Sequence, residues 1–209
     1  MPKTRGDAAD AQRRRILDAA ELVLRRYGPG KTTVSDVARE IGQSHASVYR
    51  YFASKSELIG ALVKRWLETF TLPLEAIAEG PGSASDRLQG WLLGLFHAKV
   101  RKVNADPEYF ATYQAASQEA HEVIEHHMAW MLAQVESIIA SGIEAGEFAP
   151  QDPRRATRTI LNASMRFHHP ALLGSPATLP NDEEAQDVVA LLVAGLKAKV
   201  SSKPGSLDQ

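Results

Sequence analysis

The 209-residue chain contains no cysteine, which excludes disulfide frameworks, thiolate metal sites, iron–sulfur clusters and cysteine nucleophiles. It also has no run near the roughly 18 consecutive apolar residues that a membrane span needs, and the polar stretch 1–10 lacks the apolar segment of a secretory signal. The expectation is a soluble, cytoplasmic protein with no membrane partner. Alternating β-branched stretches of the kind strands require are missing. So are GxSxG, a Gly-rich phosphate loop and HExxH, which leaves neither an enzyme nor a cofactor to expect. What is present in quantity is apolar surface, 44% of residues, enough for a core of one or two domains.

A formal net charge of −1 argues against a nucleic-acid partner only if the charge is evenly spread. It is not. Residues 1–55 hold 11 Lys and Arg against 6 Asp and Glu, a net of +5, while the remainder holds 13 against 19, a net of −6. Exposed charges further apart than a Debye length of about 8 Å are largely screened, so DNA docked at the basic end would feel little of the acidic one. The cluster Arg13, Arg14, Arg15 reads equally well as the solvated turn of a helix.

Nearly every periodic segment has a 3.6-residue period, which predicts an all-α protein of about nine helices. The first covers 11–27, with Ile16, Ala19 or Ala20, Val23 and Tyr27 on one stripe and Gly28-Pro29-Gly30 as its stop. Thr33 caps a short second helix with apolar Val34, Val37, Ala38 and Ile41, and Gly42 turns the chain into a third over 45–52 with Val48 and Phe52 inward. Ser54 to Glu57 forms a capping box for a fourth helix through Leu58, Leu62, Trp66 and Phe70, which Pro73 bends or ends. Further helices are expected over 83–104, 106–117, 119–145 (stripe Ile124, Met128, Met131, Val135, Ile138), 152–168 and 182–200, before a polar tail 201–209.

The three short N-terminal helices coincide with the basic segment. A helix-turn-helix unit places one helix across the DNA backbone and the N-terminal side chains of the next in the major groove. Here the exposed positions of the third helix, Ser44, His45, Ser47, Arg50 and Tyr51, all carry hydrogen-bonding groups. The run TTVSDVAREIGQSHASVYRYFASKSEL over 32–58, with Ile16-Leu17-Asp18-Ala19-Ala20 and Gly28 before it, resembles the DNA-binding region of the TetR family of bacterial transcriptional regulators. The resemblance covers about the first quarter of the chain.

It implies a DNA-binding domain over 1–53 and an effector-binding, dimerising helical domain over 54–209, in a homodimeric repressor released from a palindromic DNA operator by a small molecule. Carried over, it places His45, Ala46, Ser47 and Tyr49 nearest the base edges within the segment 44–51, with Ser35 and Gln43 as additions. Thr33, Arg50, Tyr51 and Lys55 would hold phosphates. Tyr49 reads almost as well as an aromatic packed beneath the helix, and Phe52 reads as core. Ile41, Gln43 and Ala46 depart from the family pattern, which commonly has a small residue, an aliphatic one and glycine there; the Gln43 amide is able to pair with adenine.

For the effector, polar residues inside apolar runs (His97, Asn162, His168) join Trp91, Phe96, Phe110, Tyr113, Trp130, Met131 and Met165 as candidate cavity liners. Most of these serve equally well as core. Among the histidines, Glu122/His126 and His121/Glu125 are i,i+4 pairs with His127, His168 and His169 beyond them, yet such pairs are common on helix surfaces, and no metal site is expected. The last two helices carry surplus apolar faces: Ile160, Ala163 and Phe167; Leu161, Ser164 and His168; and Val188, Val189, Leu191, Leu192, Val193 and Leu196 around the final helix. A second subunit covering them would make a four-helix interface; burial at the centre of one subunit is the other reading. A DNA-bound scaffold that recruits a protein, and a helical enzyme, are the other functional classes consistent with these features.

Overall fold

A computed structural model describes residues 5–174 and 176–198; the polar tail and the last residues of the final expected helix lie outside them. The described residues contain no strand. Their helices are α1 (Arg5–Lys31), α2 (Val34–Glu40), α3 (His45–Tyr49), α4 (Lys55–Ala78), α5 (Ala84–Ala105), α6 (Pro107–Ser117), α7 (His121–Glu144), α8 (Pro153–Ala163), α9 (Met165–His168), α10 (Pro170–Leu173) and α11 (Asp182–Lys197), with a 3-10 turn at Pro176–Thr178.

The caps follow the sequence closely. Thr33, Ser44, Ser54, Ser83 and Asp106 each accept a backbone N–H from the residue three positions on, and Asp152 accepts from Arg154 and Arg155. In the box at α4 the Glu57 carboxylate accepts from the N–H of Ala53, 2.6 Å away, instead of that of Ser54. Gly42 (φ 66°) closes α2 in a Schellman turn, with Gln43 N–H on Ala38 O at 2.9 Å and Gly42 N–H on Arg39 O at 3.1 Å. That backbone conformation favours glycine, and it sets the angle at which α3 leaves α2.

Several expectations are corrected. Helix α1 starts earlier than residue 11, and Gly28 (φ 74°, ψ 167°) breaks it with one further turn beyond. Tyr27 is 47% exposed, and Leu24 takes its place in the stripe. Helix α4 runs past Pro73, which lies exposed on it, so only the backbone bond of that residue is lost. Met128 is exposed, and the buried residues of α7 begin at Met131.

The expected helix over 152–168 stops at Ala163. The buried Ser164 hydroxyl donates to Ile160 O at 2.8 Å, competing with the backbone ladder, and Pro170 forces His169 into extended geometry (φ −76°, ψ 123°). The short helices α9 and α10 that follow explain why eleven α-helices form among the described residues instead of nine. The surplus apolar faces are also mostly internal: Ile160, Leu161, Phe167, Val189, Val193 and Leu196 are buried within the one chain, while Leu191, 73% exposed, and the small Ala163 stand outside.

Two apolar clusters result. One joins α1–α4 to Phe96, Val103, Phe110, Tyr113 and Phe167; the other joins the end of α4 to α5, α7, α8 and α11. Val48 and Phe52 are wholly buried in the first, and the guanidinium of Arg13 lies 4.3 Å over the Phe52 ring. Phe52→Ala is expected to lower unfolding free energy by about 3–5 kcal/mol, measured by urea denaturation; a loss under about 1 kcal/mol contradicts this packing.

Candidate functional site

The N-terminal face is built on a helix of five residues. Too short to persist alone, α3 is held through Val48 and Phe52. Its outward side presents Ser44, His45, Ala46, Tyr49 and Arg50 to solvent, with Ser47 and Tyr51 half-buried beside them. Tyr49 is 46% exposed and meets the His45 ring edge-on at 6.1 Å, so it lies on the helix surface and not beneath it. Ser44 Oγ accepts from Ser47 N–H at 3.3 Å and lies 3.0 Å from Ser47 Oγ.

The flanking candidates already hold partners. The Thr33 hydroxyl caps α2 and donates to Asp36 at 2.5 Å, which holds that carboxyl below its ordinary pKa. Lys55 Nζ donates to Pro29 O at 2.7 Å, and the Gln43 amide accepts from Gln12 at 3.1 Å. Ser35 is exposed on α2. Of the arginine triplet, Arg13 stacks on Phe52 and Arg15 donates to Ile41 O at 3.1 Å, so two of the three brace the helix pair instead of facing only solvent. Ile41 itself is buried.

Beneath this face a polar collar ties α1 to α4 and α6. Arg65 donates to Asp18 at 2.6 Å, to Leu17 O at 3.3 Å and to Glu21; Glu21 also accepts from the Tyr109 hydroxyl. Arg25 pairs with Asp106 and lies 4.2 Å over the Tyr109 ring. Burial and the Glu21 bond push the Tyr109 phenol well above its ordinary pKa. Inside the collar Trp66 stacks on Tyr113 with centroids 4.7 Å apart, and Phe70 and Phe110 flank it.

The ten expected effector liners do not gather at one cavity, and Phe96 is core. His97 is at the surface, hydrogen-bonded to Asp182; Asn162 and Met165 are exposed; Phe110 and Tyr113 fill the junction around Trp66; Met131 is core. His168 is buried, with Nε2 2.9 Å from Leu161 O, and Trp91 is wholly buried. Trp130 lies on a groove of about 580 Å³ between α4 and α7, with Leu67, Thr71, Val123 and His127.

Lys99 was not among the expected residues. It is 4% exposed on the buried face of α5, in register with Leu92, Leu95, Phe96 and Val103; a lysine inside that apolar stripe was the available signal. Its Nζ donates to His168 O at 2.5 Å, and burial pushes its pKa down to about 8. Burial likewise lowers His127 and His168 to about 4, with the charge of Lys99 contributing to each. Among the described residues no group of three or more acidic or histidine side chains is arranged to hold a metal, and no helix is long and apolar enough to cross a membrane.

Two family models match the chain. Residues 16–62 fit the model described as bacterial regulatory proteins, tetR family, and residues 84–189, half of the chain, fit that of the tetracyclin repressor-like C-terminal domain. The chain belongs to the TetR family. It is therefore a DNA-binding transcriptional regulator and not an enzyme. TetR regulators bind DNA operators and small-molecule effectors, typically as dimers.

Among relatives, the chain is 26% identical over 196 residues to the HTH-type transcriptional repressor KstR2 of Mycobacterium tuberculosis, covering 90% of this chain and 94% of that one. It is 28% identical over 155 residues to the HTH-type regulator YfiR of Bacillus subtilis, covering 73% and 75%. Among solved structures the TetR fold recurs in SmeT of Stenotrophomonas maltophilia in complex with triclosan, with a TM-score of 0.69 at 20% identity over 95% of this chain and 98% of that one.

The buried lysine has a consequence for stability. A lysine whose folded pKa lies below the unfolded value near 10.4 contributes fully only where it is neutral in both states. Relative to Lys99→Met, the wild-type protein is thus expected to gain stability, on the order of 3 kcal/mol at about 1.4 kcal/mol per pKa unit, as pH rises from 8 to 10.5. Denaturation at a series of pH values checks this, and parallel curves for the two proteins would contradict it.

Proposed function

We propose that the protein is a homodimeric repressor whose segment 1–53 reads a near-palindromic operator and whose segment 54–209 dimerises and takes the effector that releases DNA. The observation that carries this is the exposed row Ser44, His45, Ala46, Tyr49 and Arg50 on a helix fixed from below, inside the segment of net charge +5. In this reading His45, Ala46, Ser47 and Tyr49 approach base edges, with Ser35 and Gln43 beside them; Arg50, Tyr51, Thr33 and Lys55 meet phosphates. The Lys55 and Gln43 heads must leave Pro29 O and Gln12 to do so. The name of KstR2 supports repression, and the open α4/α7 groove supports a small-molecule effector. Such a regulator works in the cytoplasm.

Dimerisation falls to α8 and α11. Their outward faces carry Leu191 amid the exposed small residues Ala163, Ala190, Ala194 and Gly195, which permit close helix approach. Exposed Arg155 and Arg158 on α8 complement Asp182, Glu183 and Asp187 on α11 across a two-fold axis. Helix α4 belongs to both clusters, so a ligand in the groove tilts it and changes the spacing of the two recognition helices. Each tenfold loss of DNA affinity needs about 1.4 kcal/mol of difference in ligand affinity between the two states.

Footprinting on the DNA flanking its own gene tests the proposal. The expected result is two symmetric half-sites about 34–36 Å apart, with Arg50→Ala binding more weakly and the log–log salt slope shallower by about 0.9. Absence of protection, or one isolated half-site, overturns the proposal.

A further inference from the structure

Lys99 carries an ammonium into the body of the protein without an acid to meet it. Among the described residues no carboxylate lies within ion-pair distance; one of its three donors reaches His168 O, 2.5 Å away. An unpaired buried charge is costly. The charge of Lys99 is felt at His127, whose Nε2 is buried without a partner and whose ring stacks on Trp130 with centroids 6.1 Å apart. Trp91, 6.4 Å from Trp130 by centroids, has an Nε1–H that is also buried and unpartnered. Trp91 and Lys99 both lie on the buried side of α5, which packs on α7, the helix of His127 and Trp130, so an ammonium and two unpartnered ring nitrogens stand on one pair of packed helices. On its outer side His127 and Trp130 form a wall of the α4/α7 groove of about 580 Å³, which continues over Leu67, Thr71 and Val123.

We propose that the effector is an apolar molecule ending in a carboxylate, its hydrocarbon body lying along Leu67, Val123 and Trp130 and its acid group accepting hydrogen bonds from His127 and the Lys99 ammonium. This rests on the reading of the protein as ligand-responsive and names the ligand class. A carboxylate has only acceptors when ionised, which matches the unfilled donors, and its single negative charge balances the single positive one. A phosphate dianion would need more: burial holds His127 and His168 neutral, so no second cation stands there. Lys64, Glu68 and Glu122 sit at the solvent rim of the groove, where water and salt screen them, and the sign of the bound group is set at the inner end.

The test uses the full-length protein and three ten-carbon probes, decanoate, decan-1-ol and decyl phosphate, with tryptophan fluorescence and calorimetry as readouts. Decanoate is expected to bind at least about tenfold more tightly than either of the others. Lys99→Met, close in volume and free of charge, is expected to erase the preference for acid over alcohol while alcohol binding persists; His127→Leu is expected to weaken acid binding alone, and Lys99→Arg to retain the preference. Equal affinity for acid and alcohol in the wild type, an unchanged preference in Lys99→Met, or tightest binding of the phosphate each overturns the carboxylate assignment. Release of operator DNA is measured separately: Lys99-dependent binding without release supports the site and defeats the ligand-responsive reading, whereas release by an uncharged compound defeats the site and leaves that reading standing.

Discussion

A helix of five residues such as α3 cannot hold its own shape, and the organisation of the N-terminal end follows from that. Nucleating a helix fixes several residues for a single backbone bond, so α3 exists because Val48 and Phe52 are pinned in a core made by α1, α2 and α4. The same anchoring decides what faces outward: with the buried side committed, Ser44, His45, Ala46, Tyr49 and Arg50 have only solvent, or DNA, to meet. The arginines beside it follow the same logic. Arg15 closes the end of α2 through Ile41 O and Arg13 covers Phe52, which leaves Arg14 and Arg50 uncommitted to the fold.

That core does not end with the three N-terminal helices. It continues along α4 to Trp66 and the aromatic stack of Phe70, Phe110 and Tyr113, wrapped by Arg65, Asp18, Glu21, Tyr109, Arg25 and Asp106. Exposed ion pairs are worth about 0–1 kcal/mol each, so the stack supplies cohesion and the collar supplies orientation. Helices α4 and α6 of the body are thus packed on α1, which packs on α2 and through it on α3. Division of labour between the two segments is compatible with their folding as one unit.

The sequence was most legible where local chemistry decides structure. Capping residues, the Gly42 turn, Asp106-Pro107 and the stripes of α2 and α4 all stand where their spacing puts them, because each is settled within one helical turn. It was least legible where a distant partner decides. Nothing near Tyr27 says that α1 outruns its core, and nothing near Ser164 says that its hydroxyl will bond back and break the helix. His97, which looked buried because of the apolar run before it, turned out to face Asp182 across the surface. Lys99 differs in the opposite way: a lysine is ordinarily exposed, and although its place in the apolar stripe of α5 is the one sequence signal, it is the packing of α5 against α7 and α9 that buries it.

The central claim is that the N-terminal helices α1–α3 and the body share one core through α4. Native-state hydrogen exchange of the α2 and α3 amides in the wild type and in Trp66→Ala tests it most directly. The account predicts that removing this indole, which lies in the body and not on α3, lowers protection in α3 by as much as in α6. Unchanged protection in α3 alongside a loss in α6 would show an independently folded head and contradict it.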